Sequence, residues 1–334
     1  MAIELMNENN SNDNILEVRN LKKYYPISNL SVGKRKAYVK AVDDVSFSIE
    51  TGTTMGLVGE SGCGKTTVGR TILRLHDVTS GQVIFDGQDL SKVPSSKLRK
   101  MRPQMQMIFQ DPYSSLSPRL PIGEIIGEAV REHNIVPKSQ YRPYILKVMK
   151  DCGLQPQYFY RYPHEFSGGQ RQRISIARAV ALKPKFIICD EPLSALDVSI
   201  QAQIINLMKD LQEQYQYTYL FISHDLSVVE YLSDTIGVMY LGSMVEIGDK
   251  KKIFANPMHP YTKALLSAVP KSNPDVKMNR IILEGDIPSP VNPPSGCKFR
   301  TRCPHAMPIC AEKAPILKEY DDGHKTACHL YSQD

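Results

Sequence analysis

The chain has 334 residues, 42% of them hydrophobic, which is enough apolar content for one large domain and an appendage. Its formal charge of +6 is a mild excess without long basic blocks, and it names no nucleic-acid partner. No apolar run approaches the roughly 18 residues of a membrane span, and the first residues are Asn-rich and acidic, so neither an anchor nor a signal peptide is expected and the chain reads as cytoplasmic.

Residues 1–14 are polar and are expected to be disordered. Alternation over 15–20 and 42–49 predicts paired strands, joined by a basic surface loop over 26–40. Between them, Tyr24 and Tyr25 point to opposite faces of an extended segment, so one can enter the core while the other stacks on an adenine ring. Thr54–Val58 reads as a short buried strand, and Val68, Ile72 and Leu73 recur at helical spacing. The strand and helix flank Gly59-Glu60-Ser61-Gly62-Cys63-Gly64-Lys65-Thr66, which fits G-x-x-x-x-G-K-[ST] at every defined position. Glycine at 59, 62 and 64 lets successive N–H groups turn towards phosphate oxygens beside the positive end of the helix dipole. Lys65 then reaches the β and γ phosphates, the Thr66 hydroxyl is the expected Mg²⁺ ligand, and Thr67 lies behind it near the β phosphate.

Residues 82–85 and 105–109 predict two further strands. The second ends at Gln110, whose neutral amide can ligate Mg²⁺ and position a water, or can cap the strand. From 122 to 166 the spacing turns helical, with Ile125, Ile126 and Ala129 on one face and Tyr144, Ile145, Val148 and Met149 on another; this reads as a helical insertion in an α/β core. Ser167-Gly168-Gly169-Gln170 then opens a helix, where a hydroxyl, bare N–H groups and the dipole make a second anion site. The apolar strand 186–189 ends in two acids with separable tasks. Asp190 is expected to hold Mg²⁺ through its water shell, and Glu191 to polarise the attacking water as general base. Ser194-Ala195-Leu196-Asp197 precedes an amphipathic helix that buries Ile200, Ile204, Leu207, Met208 and Leu211. A strand over 219–222 leads to His224, at the carboxyl edge of the sheet where ligands of open parallel sheets bind, within reach of a γ phosphate.

Taken together, this order of motifs resembles the ATP-binding subunit of an ABC transporter over about residues 14–270. The resemblance implies an α/β fold of the ABC nucleotide-binding type: a phosphate-loop core sheet, an antiparallel β subdomain and a helical insertion at about 111–166, with ATP and Mg²⁺ as cofactors. It implies that Tyr25 stacks on adenine, Gln110 senses Mg²⁺ and the membrane subunit, Glu191 is the catalytic base and His224 the switch histidine. Asp197 would belong to the dimer-contact loop. The two anion sites then have one explanation, in which ATP on one chain's phosphate loop is sealed by residues 167–170 of a partner chain. Phe166 departs from the family's usual Leu, yet stays apolar.

Past Ile247 the composition changes, which divides the chain into a nucleotide-binding domain at 15–250 and an extension at 251–334. Prolines 257, 260, 270, 274, 288, 290, 293 and 294 suggest turns and extended segments, not a helical domain. His259-Pro260-Tyr261-Thr262 resembles the C-terminal extension of bacterial oligopeptide and dipeptide importers, a subgroup that includes some metal importers. The resemblance implies an ATPase that powers peptide import, with a related importer for nickel or another small solute as the alternative. It also implies a second ATP-binding subunit of a different kind, two transmembrane permease subunits, an extracellular or periplasmic peptide-binding protein, no nucleic acid, and a peripheral position on the cytoplasmic face of the cell membrane. A soluble repair or translation ATPase would carry a coiled coil or tandem cassettes, and neither heptads nor an internal repeat is present.

Cys297, Cys303, Cys310 and Cys328 stand with five, six and seventeen residues between neighbours. No pair has the tight spacing of a zinc knuckle, and four thiolates suit a [4Fe–4S] cluster, with Zn²⁺ the alternative and His305, His324 and His329 as further donors. The family resemblance points to the cluster as well.

Overall fold

A computed structural model describes residues 14–27, 37–269 and 280–331. The expected disordered N-terminus and the middle of the 26–40 loop lie outside the described residues, except for Asn14 and the loop's two ends. The chain opens with β1 (Asn14–Pro26) and β2 (Tyr38–Glu50), an antiparallel ribbon in which Tyr25 pairs with Val39. These strands run well beyond the segments that alternation predicts, because register shifts between Val18 and Tyr24 break the alternation while pairing continues. β3 (Thr54–Val58), buried at all five positions, delivers the chain to α1 (Lys65–Ile72). β4 (Ser80–Phe85) and β5 (Gln88–Asp89) return to complete a four-stranded sheet, β2-β1-β4-β5.

A short helix α2 (Ser95–Met101) leads to β6 (Met105–Ile108), and α3 (Pro112–Ser115), α4 (Ile122–Glu132) and α5 (Tyr141–Asp151) build the helical insertion. Next follow α6 (Gly168–Val180), β7 (Phe186–Asp190), α7 (Val198–Tyr215), β8 (Thr218–Ile222), α8 (Leu226–Leu232), β9 (Thr235–Tyr240) and β10 (Ser243–Asp249). The main sheet has β3 near its centre, parallel to β8 and β9, with β7 and β6 continuing outward from β8. Its strands are apolar on both faces because each face meets a core. Ile188, Leu220 and Ile222 pack towards the antiparallel sheet and α1, whereas Ile187, Tyr219 and Phe221 pack towards the insertion and α6–α8.

The C-terminal region departs from expectation. It holds two helices, α9 (Lys250–Ala255) and α10 (Pro260–Ser267), and a single turn α11 (Ile309–Glu312). Pro260 occupies the first helical position behind the His259 cap, where a missing N–H costs nothing, so this proline starts a helix instead of preventing one. The chain then adds β11 (Lys318–Asp321) and β12 (His324–Thr326) to the main sheet, with β12 antiparallel to β10. Glu246 on β10 is fully buried, and its carboxylate accepts from the Met258 and His259 N–H groups at 2.7 and 2.9 Å and meets His324 Nε2 at 2.8 Å. One buried acid thereby ties α10 and the hairpin to the cassette sheet.

Candidate nucleotide site

The phosphate loop leaves the carboxyl end of β3 and wraps the start of α1. Gly64 has φ +105°, and a Cβ there would stand 2.1 Å from the Ala41 carbonyl oxygen, so β2 presses directly on the loop. Lys65 is buried, and its ammonium donates to the Gly59 and Glu60 carbonyls at 2.7 and 3.0 Å. The Thr66 hydroxyl donates to Asp190 Oδ1 at 2.6 Å. Asp190 is 1% exposed, and its other oxygen, Oδ2, has no hydrogen-bond partner, with Arg70 only approaching to 3.9 Å. Burial pushes the Asp190 carboxyl above its ordinary range, against the pull of Thr66 and Arg70. An orphaned carboxylate oxygen beside a threonine hydroxyl fits a divalent cation, which would restore both charge balance and coordination.

Glu191 takes φ 46°, a left-handed conformation that costs energy in a non-glycine residue, and its N–H is tied to the Ile222 carbonyl at 3.0 Å. Its carboxylate accepts from Gln110 Nε2 at 3.0 Å and lies 3.4 Å from His224 Nδ1. Three strand ends thus bring Gln110, Glu191 and His224 to one point. Gln110, Glu191 and the loop residues Ser61, Gly62, Lys65 and Thr66 line a common cleft. Segments without a motif also line it, including Lys40, Gly242 and Pro290.

The aromatic pair behaves differently from expectation. Both Tyr24 and Tyr25 are half-buried, so neither enters the core. The Tyr24 hydroxyl donates to Asp43, while Tyr25 lies beside Thr67, edges onto His76 and has the Lys23 ammonium 4.8 Å from its ring centre. Tyr25 therefore stands beside the start of α1. Glu60 pairs its carboxylate with Arg302. Cys63 is buried beneath the loop, and burial pushes its thiol up.

Ser167 and Gln170 form a reciprocal cap on α6: Ser167 Oγ accepts from the Gln170 N–H, and Gln170 Oε1 accepts from the Ser167 N–H at 3.1 Å. A Cβ at Gly169 would stand 2.5 Å from the Ile200 side chain, so glycine here lets α6 and α7 meet closely. Phe166 is buried with its ring edge-on to Tyr158, which accommodates the larger side chain. Residues 167–170 and the exposed Asp197 lie outside the cleft of their own chain.

Among the described residues, no group of three or more His, Cys, Asp or Glu side chains is arranged to hold a metal ion. Of the histidines expected as further donors, His324 is engaged by Glu246 and His329 Nε2 meets the Lys313 carbonyl at 2.9 Å. The four C-terminal cysteines are unpaired. The Cys297 N–H donates to the Cys310 carbonyl at 2.8 Å. Burial pushes the Cys328 thiol up to about 11, with Cys297, Cys303 and Cys310 adding to the effect.

An ABC transporter family profile matches residues 42–194, and the chain is an ATPase of the ATP-binding cassette class. A second profile, for the C-terminal region of oligopeptide and dipeptide transporters, matches residues 245–310. The oligopeptide transport ATP-binding protein AppF of Bacillus subtilis is 55% identical over 96% of this chain and 98% of its own length. A putative peptide import ATP-binding protein of Brucella ovis is 52% identical over 94% of this chain and 97% of its own. Among solved structures, cbiO1 of Clostridium perfringens superposes with a TM-score of 0.63 at 25% identity, over 73% of this chain and 92% of that one. A dimeric post-hydrolysis cassette, MJ0796 with ADP and Pi, superposes at 0.62 and 27% identity, over 70% and 98%. The chain belongs to the family of oligopeptide and dipeptide ABC transporter ATP-binding proteins.

Proposed function

We propose that this ATPase drives import of oligopeptides or dipeptides, acting from the cytoplasmic face of the cell membrane on two transmembrane permease subunits fed by an external peptide-binding protein. The observation that carries the mechanism is the meeting of Gln110, Glu191 and His224 beside Lys65, Thr66 and Asp190. Loop N–H groups and Lys65 would hold the phosphates, and Tyr25 would meet the adenine. Mg²⁺ would be held by Thr66, Asp190 and Gln110 and would supply charge neutralisation between the phosphates. Glu191 takes a proton from the attacking water, and its hydrogen bond from Gln110 fixes the receiving oxygen. His224 then stands on the same carboxylate, placed to report the γ phosphate.

The signature residues Ser167, Gly168, Gly169 and Gln170 and the exposed Asp197 would complete the site of a second ATP-binding subunit, a reading supported by their place outside their own cleft. Permease contact would run through Gln110 and the helical insertion. Cys297, Cys303, Cys310 and Cys328 would hold a [4Fe–4S] cluster, a reading supported by four thiols with no tightly spaced zinc-knuckle pair among them. Its part would be to clamp the extension. Glu191→Gln is expected to retain ATP, lower hydrolysis about 100-fold or more and abolish uptake of a labelled oligopeptide in permease-containing vesicles. Unchanged hydrolysis would remove Glu191 as the base, and hydrolysis lost with uptake intact would remove peptide import.

A further inference from the structure

The residues between the first two C-terminal cysteines make three separate contacts with the cassette. Lys298 Nζ, largely buried, donates to Asp43 Oδ2 at 2.9 Å, Ser243 Oγ at 2.7 Å and the Leu241 carbonyl at 3.1 Å. Phe299 is 1% exposed and packs its ring among Tyr240, Tyr261 and His259. Arg302, whose side chain is 8% exposed, grips Glu60 with both terminal nitrogens, at 2.8 and 3.2 Å.

Glu60 is the second residue of the phosphate loop and is held at three points. Its carboxylate takes Arg302, its N–H donates to the Tyr261 hydroxyl at 2.8 Å, and its carbonyl accepts from Lys65 Nζ at 3.0 Å. Two of these three partners come from the C-terminal region. The loop must present its N–H groups in one fixed arrangement to bind phosphate, and a planar, partly buried bidentate pair is a stiff way to fix a backbone segment. The same region also lines the cleft at Pro290, whose carbonyl accepts the Lys40 N–H at 3.1 Å.

We propose that Arg302 is a positioning residue of the ATP site: through its bidentate pair with Glu60, the turn between Cys297 and Cys303 holds the phosphate loop in its binding conformation, so that the extension sets nucleotide affinity. This rests on the reading that the loop binds ATP. Arg302 touches no reacting atom, so its loss weakens binding and leaves the chemical step unchanged.

The test uses the full chain, with MgATP affinity, KM and kcat measured alongside the nucleotide-free unfolding midpoint for Arg302→Gln, Arg302→Lys, Glu60→Gln and the double variant. Arg302→Gln is expected to raise Kd and KM for ATP about tenfold with kcat within about twofold. Arg302→Lys should recover part of that loss, since a lysine keeps the charge without the planar fork. The double variant should bind no worse than either single variant, because both remove one interaction. Unchanged ATP affinity with a lowered unfolding midpoint would overturn the proposal and leave Arg302 as a fastener of the extension only; additive losses in the double variant would overturn it as well. Lys65→Ala serves as the control: if that variant binds ATP normally, the reading of the loop itself fails, independently of Arg302.

Discussion

His259 is a neutral cap in a place without water. Its Nδ1 accepts the Tyr261 N–H at 3.1 Å, and burial pulls its pKa from 6.5 down to about 4, although the nearby Glu246 carboxylate pulls the other way. The unfolded chain binds a proton here as pH falls through 6.5, whereas the folded chain resists until about 4. Stability is therefore lost across that window, by about 3 kcal/mol at its acid end. His259→Asn keeps a capping acceptor without the titration, so the drop in unfolding midpoint between pH 7 and about 4.5 should shrink relative to the parent. Equal losses in the two chains would mean that His259 is charged in the folded state. At this scale the sequence displayed the residues that face the ligand, since Lys65, Asp190, Glu191 and His224 stand in spaced motifs. It concealed those that brace them. Arg302 sits between two cysteines and drew no attention, and nothing in the residue string connects it to Glu60.

The strand-to-loop-to-helix passage around Gly64 shows what an element must accommodate. Gly64 and Gly62 both take positive φ, but only at Gly64 does a Cβ meet backbone, 2.1 Å from the Ala41 carbonyl, while at Gly62 nothing lies within 4 Å. Gly64→Ala must move β2 or the loop, and MgATP affinity should fall about tenfold or more; Gly62→Ala meets only the left-handed penalty of about 1–2 kcal/mol and should fall less. Equilibrium nucleotide binding checks this, and a reversed order would mean that β2 yields easily. The central strands were legible because continuous apolar runs ending in glycine or acids mark buried parallel strands. β11 was not, since all four of its residues are exposed and carry no alternation. α10 was misread for a different reason. Its His-Pro start is a helix signal, but the surrounding prolines suggested turns.

On the scale of the molecule, the C-terminal region is joined to the cassette through the buried Glu246, the Phe299 ring cluster and the Arg302 pair. If the four C-terminal cysteines hold the proposed cluster, anaerobically purified protein is expected to carry about four iron and four sulfide per chain, reduced in Cys328→Ser. Zinc without iron would overturn the cluster. A polar tail of this composition lacks the apolar content to fold alone, so its place against the cassette was not legible from pattern, even though its family resemblance was.

His324 meets Glu246 across 78 residues of chain, and β12 pairs with β10 across the same interval. On the ribosome, β10 therefore emerges with an open edge and waits about 4–16 seconds for its neighbour at ordinary rates of synthesis. Until then the nascent cassette offers one open strand edge to any other chain nearby.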